Sequence, residues 1–270
     1  MTAQLLIIDP QNDFCDIPGA TLPVAGADAD MRRLAAFIGA AGEQIQDITI
    51  TMDTHAAFGI ERPGFWANGD GSTVAPFTEI TAAQVRAGVY ATLEAERATE
   101  ALAYLDALEA GGRYKLMVWP AHCVDGTWGH RIHGALASAV DRWEDAIGGP
   151  SWTVLKGMNP LTEQYSAVRA EVPRDDDRST QTNLDLLRRV AMFDGLTFIA
   201  GEASSHCVSA TARDLFAGMT PEKLKKTILL RDCMSPVTGF EAAPMELFRA
   251  ASLHGVRAMS AAEALTLLGA

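Results

Sequence analysis

The stretch GEASSHCVSATARDLFA sets a thiol, Cys207, where an apolar run gives way to a helical pattern. A thiol at a helix N-terminus meets unpaired N–H groups and the positive end of the dipole, which favour a thiolate and a developing oxyanion. On its own such a cysteine is equally a small buried residue filling a junction. Asp9, at the end of QLLIID, could accept the thiol proton, and Lys156, at the end of WTVLK, could hold a site positive. Each also fits a plainer role: Asp9 as a turn residue in DPQND, Lys156 as a solvated strand end before Gly157. Asp53 and His55 stand two apart, so on an extended strand end they point the same way, and His122 can approach from another loop. One carboxylate and two imidazoles suit Zn²⁺, Fe²⁺ or Mn²⁺ with positions left for water and substrate.

For these residues to meet, the chain must bring distant strand ends together. QLLIID, DITITMD, YKLMVW, WTVLK, LTFIAG and KTILLRD are the predicted strands. Met31–Gly42, Ala91–Gly111, His130–Ile147, Thr182–Phe193, Cys207–Gly218, Ala243–His254 and Ala261–Leu268 are the predicted helices. Continuous apolar strands alternating with helices require parallel crossovers. The expected fold is therefore α/β: a doubly wound, Rossmann-like, mostly parallel six-stranded sheet between helical layers, α/β/α. In such sheets ligands bind beyond the carboxyl ends of the strands, where Asp9, Asp53, Trp119, His122, Lys156 and Cys207 are expected. Phe58–Gln84 shows no clear period and Pro173–Thr180 is a charged loop, so residues 1–270 are expected to form one domain with an insertion at about 58–112.

Composition excludes several classes. Of 270 residues, 48% are hydrophobic, enough for one large core, and no apolar run is long enough to span a bilayer. Four cysteines without a CxxC pair indicate neither a zinc ribbon nor a disulfide scaffold, and free thiols fit the cytoplasm. A net charge of −12, with no basic cluster to follow a phosphate backbone, excludes nucleic acid as the expected partner.

Five stretches in order, DPQNDF, DTH, WPAHCVDGT, LKG with QYSA, and GEASSHCV, resemble the motifs of the nicotinamidase branch of the isochorismatase-like cysteine hydrolases, and RDCMS resembles that family's last-strand motif. The likeness runs from Ala3 to about Val237. It implies a triad of Cys207, Asp9 and Lys156. It also implies one divalent metal, zinc first, on Asp53, His55 and His122. The family's further histidine after DxH is missing, and Glu61 is the possible substitute ligand. Oxyanion donors are implied at the N–H groups of Ala203 and Cys207, with a cis peptide at Glu202–Ala203. Phe14, Trp119, Tyr165 and His206 are implied to flank a flat ring.

The resulting expectation is amide hydrolysis through a thioester, releasing ammonia from nicotinamide or a close aromatic carboxamide, as in pyridine nucleotide salvage. A homo-oligomer is what the resemblance implies for assembly. Two other readings remain open. The same triad serves hydrolysis of other small amides, ureas or carbamoyl compounds, and the same fold serves non-catalytic binding proteins.

Overall fold

The computed structural model describes residues 1–270. In chain order its elements are β1 (Ala3–Ile8), α1 (Ala27–Ala41), β2 (Ile45–Asp53), β3 (Trp66–Asn68), β4 (Thr78–Ile80), α2 (Ala82–Arg86), β5 (Tyr90–Thr92), α3 (Ala98–Gly111), β6 (Leu116–Val118) and α4 (Gly134–Ile147). They continue with β7 (Trp152–Lys156), α5 (Leu184–Met192), β8 (Leu196–Gly201), α6 (Cys207–Gly218), α7 (Pro221–Lys225), β9 (Thr227–Leu230), α8 (Ala243–Leu253), β10 (Arg257–Met259) and α9 (Ala261–Leu268).

Six strands pair in parallel in the order β10-β9-β8-β1-β2-β7, flanked by helices in a three-layer α/β/α arrangement. Every residue of β1 and β8 is buried, as expected for strands covered on both faces. Helix α1 packs on α4 and α9, while α6 contacts α5 and α8. The register then sets the site. Asp53 pairs with Lys156 at the end of β2 and β7, and Ile8 pairs with Gly201, so Asp9 emerges beside the loop into α6. Gly201 is tight: a Cβ there would lie 2.0 Å from the Ile8 carbonyl oxygen, and its φ of 114° suits only glycine.

Two strand assignments differ from the sequence reading. YKLMVW contributes β6, but β6 pairs antiparallel with β4 outside the main sheet. Leu116 and Val118 are buried and Met117 only partly, so the run covers one face, not the two that its unbroken apolar character suggested. The sixth place in the sheet goes to β10, a three-residue edge strand whose RAM sequence is largely exposed and carries no apolar signal. The predicted helix from Ala91 begins only at Ala98, because Tyr90–Thr92 pairs with Trp66–Asn68.

Residues of the 58–118 stretch build a core of their own. Ile60, Phe65, Trp66, Ile80, Leu105 and Val118 belong to a twelve-residue buried cluster, separate from the fifty-five-residue cluster around the main sheet. The Trp66 indole N–H donates to the Ile60 carbonyl at 2.7 Å, which satisfies its buried polar edge. No helix of the chain is long and apolar enough to cross a membrane.

Candidate active site

Three predicted groups meet at one ammonium. Lys156 Nζ lies 2.9 Å from Asp9 Oδ2, 2.9 Å from Asp53 Oδ1 and 3.5 Å from Cys207 Sγ, and donates to the Gln164 carbonyl at 3.1 Å. The lysine side chain is wholly buried, so its charge survives only because two carboxylates surround it. Burial alone would depress the ammonium, but Asp53 and Asp9 outweigh it and hold its pKa well above the ordinary value. Asp9 accepts a 2.6 Å hydrogen bond from Thr51 Oγ1, yet desolvation still raises its pKa against the pull of Lys156. Gly157, directly after the lysine, has φ 74°, and a Cβ there would sit 2.8 Å from Asp53 Oδ1, so the LKG stretch requires its glycine.

The thiol departs from the sequence expectation in one respect. Cys207 opens α6 as predicted, but burial raises its pKa well above the ordinary thiol value despite Lys156. The resting group is a neutral thiol. Desolvation exceeds the pull of the ammonium, and the Asp9 and Asp53 charges beside the sulfur add to it.

Asp53, His55 and His122 form a buried group whose donor atoms all lie within 4.8 Å of one another. Nε2 of His55 and Nε2 of His122 face the same Asp53 oxygen, Oδ2, at 2.9 and 3.3 Å. A carboxylate between two imidazoles, wholly buried, fits a divalent cation. The loop carrying His122 is held against β2's extension by His55 N–H donating to the Cys123 carbonyl at 3.0 Å and by Cys123 N–H donating to Asp13 Oδ2 at 2.7 Å. Burial and then the Arg62 guanidinium bring His122 down to about 4, which leaves its imidazole neutral. Its Nδ1 lies between the Pro120 carbonyl at 2.8 Å and Arg62 Nη1 at 2.9 Å, which fix the ring's orientation with Nε2 toward Asp53. His55 differs: burial lowers it, but Asp53 prevails and raises it.

Glu61 lies outside this group. It is buried rather than solvent-facing, with Oε1 3.3 Å from His55 Nδ1, the ring nitrogen turned away from Asp53, and 3.0 Å from Arg62 Nε. The guanidinium engages this carboxylate and turns it into a support for His55.

A small cavity is lined by Phe14, Asp53, Trp119, His122, Tyr165, Ala203, His206 and Cys207, so the four predicted ring-flanking residues do share one space. Trp119 Nε1 donates to the Tyr165 hydroxyl at 3.0 Å, and the Trp119 and His206 rings meet edge to face at 5.2 Å. Burial lowers His206 to about 4, so it too is neutral. The Glu202–Ala203 peptide is cis. The N–H groups of Ala203 and Cys207, both lining the cavity, have no acceptor among the loop hydrogen bonds around them.

Sequence reasoning passed over several supporting residues. Gln11 clamps Asp53 through both backbone groups, accepting from its N–H at 2.7 Å and donating to its carbonyl at 2.8 Å. Glu163 also lines the cavity, and burial, then Glu61, raise it to about 7. Gln11 and Asp13 sit inside DPQNDF and were legible as part of it; Arg62 and Glu163 carry no spacing signal.

No family model matches the chain. It is 28% identical to the nicotinamidase of Escherichia coli (strain K12) over 211 residues, which are 78% of this chain and 74% of that protein. Its fold superposes on the yeast nicotinamidase bound to the inhibitor nicotinaldehyde with TM-score 0.65 and 20% identity, covering 96% of this chain and 100% of the other. Pyrazinamidase of Pyrococcus horikoshii in complex with zinc superposes with TM-score 0.55 and 19% identity, covering 96% and 99%.

Proposed function

We propose that this chain, whose motifs and relatives support the nicotinamidase and isochorismatase-like family, is a cysteine amidohydrolase that cleaves nicotinamide or a close aromatic carboxamide to the acid and ammonia. The observation that carries the reading is the buried Lys156 ammonium in contact with Asp9 and with Cys207, the one of the three that lines an aromatic-walled cavity.

Because the resting thiol is neutral, its proton leaves as the sulfur attacks, and Asp9, whose raised pKa makes it a competent acceptor, receives it. Lys156 compensates the negative charge on either partner as the proton moves. Sulfur forms a bond to the amide carbon, and the carbonyl electron pair moves to oxygen, where the N–H groups of Ala203 and Cys207 stand ready as donors. Collapse breaks the C–N bond as Asp9 returns the proton to departing ammonia. Asp9 then takes a proton from water, whose oxygen bonds to the thioester carbon, and returns that proton to the sulfur as the C–S bond breaks, giving the acid and the free thiol. Phe14, Trp119, Tyr165 and His206 hold a planar ring in place for this sequence. Asp53, His55 and His122 would hold one divalent metal, zinc first, supplying a Lewis acid toward a ring nitrogen.

Ammonia release from nicotinamide, pyrazinamide, an aliphatic amide and a carbamoyl compound tests the reading. The two heteroaromatic amides are expected to lead; faster turnover of either of the others would replace the aromatic-carboxamide assignment. Elemental analysis is expected to find one transition-metal equivalent per chain. Fully active protein without metal would exclude the metal role.

A further inference from the structure

Behind the oxyanion loop lies a second buried acid that the reaction does not use. The Glu202 side chain is fully buried under β8, and its Oε2 accepts from the Ser235 N–H at 3.1 Å while Oε1 finds no hydrogen-bond donor. The same Ser235 donates its hydroxyl to Asp30 Oδ2 on α1 at 2.6 Å, so one serine brings two buried carboxyl groups together. Asp30 is compensated by Arg33 at 2.9 Å, whereas Glu202 has no cation of its own. A buried carboxyl beside a charged one and without a cation of its own is disfavoured in its ionised form, and an unpartnered carboxyl oxygen in a dry site is best satisfied by carrying the proton itself. We propose that Glu202 is a neutral acid that donates to Asp30, and that this carboxyl–carboxylate bridge is the positioning element for the Ala203 N–H.

The bridge acts on the segment through its neighbours. Gly201 N–H donates to the Cys233 carbonyl at 2.9 Å, Ser204 N–H to the Ser235 carbonyl at 2.8 Å, and Val237 N–H to Ser205 Oγ at 3.0 Å. Residues 201–205 are thus laced to 233–237, and Asp30 with Glu202 pins both to α1. The pKa directions agree with this arrangement: burial and then the Asp30 charge raise Glu202 well above the ordinary carboxyl value, and burial raises Asp30 less. The groups facing the pair are Asp16 and Cys15 from the loop after β1, Asp28 and Arg33 from α1, and Asp232 and Cys233 from the loop after β9. Three of these are acids and two are thiols raised by burial, so Arg33 is the one cation among them.

An acid whose folded pKa lies above its unfolded value stabilises the fold below the unfolded pKa, and the contribution is lost as pH rises through the folded one. Stability should therefore fall toward alkaline pH, from the ordinary carboxyl value up to the raised value of Glu202, above which it levels off.

The positioning role rests on the oxyanion assignment made above, and the test separates the two. The infrared difference between the wild-type protein and Glu202→Gln at a pH well above 7, where Glu163 has ionised, is expected to show the C=O stretch of one protonated carboxylic acid lost in the variant. Absence of that difference band overturns the bridge. Melting temperature against pH is the second arm: Glu202→Gln flattens the alkaline fall, and Asp30→Asn, which removes the repelling charge, moves the band's titration to lower pH. An unchanged profile in both variants also overturns it. Kinetically, Glu202→Ala is expected to lower kcat roughly 10- to 100-fold with KM nearly unchanged, and Glu202→Gln, which keeps a donor, to recover most of it. Equal loss in both variants would remove the positioning role. Failure of the wild type on every amide would sink the hydrolase reading and leave the infrared and melting results to decide the bridge.

Discussion

The carboxyl edge of the main sheet and the 58–118 stretch solve opposite problems. At the sheet edge, charged groups are buried and held by one another: Lys156, Asp9 and Asp53 are almost without exposure and compensate each other's desolvation. In the 58–118 stretch the buried centre is apolar, around Trp66 and Leu105, and apart from the buried Glu61 and Arg62 the charges lie outward, as in the exposed Lys115–Glu79 pair. The first arrangement gives perturbed acids and bases at a fixed point, and the second gives a wall that can vary. The two touch where Glu61 and Arg62 back the histidines and where the Phe77 ring meets Trp119 edge-on at 5.8 Å. What the contrast teaches is that reactive groups ride on strand ends, whose register is set by the core, while an irregular stretch with its own small core shapes the approach to them.

The largest effect expected at the sheet edge is from Cys207→Ala, which removes the attacking sulfur: ammonia release should fall by about 10⁴-fold or more with the melting transition preserved. Undiminished turnover would end the thioester mechanism. Lys156→Ala leaves two buried carboxylates unpaired and should cost about 3–5 kcal/mol in denaturant unfolding, besides abolishing activity. A stable variant would mean that the ammonium is not the compensating charge.

Trp66→Ala tests the other side of the comparison. It should destabilise by about 3–5 kcal/mol, with hydrogen exchange rising first in residues 60–118 and later in β1 and β8. A uniform rise would show the two cores to be one cooperative unit. The smallest effect is a displacement along the pH axis. As the proposed base, Asp9 must be ionised, so kcat/KM should fall with acid at a pH above the ordinary carboxyl value because its pKa is raised. A limb at the ordinary value would point to a solvated base instead.

Legibility in the sequence followed burial pattern. β1, β2, β8 and α6 were plain because their apolar residues recur over enough positions to carry a period, and α6 begins and ends where expected. β6 and β10, three residues each, are too short for any period to show, and each was misplaced or missed. The residues at the proposed site were named from motif order, but Glu61 took a supporting place, and the contacts of Arg62 and Glu163 and the pairing of Glu202 with Asp30 emerged only with the coordinates.

What the amino-acid order determined alone was the sequence of strands and helices in the main sheet and the residue types standing at its strand ends, since hydrophobic periodicity and local turn chemistry act over neighbouring positions. The tertiary structure decided the protonation states: a neutral Cys207 thiol, a raised Asp9, a neutral His122. Those depend on how much water each group loses and which charges come within a few ångströms. Both follow from the packing of segments far apart in the chain.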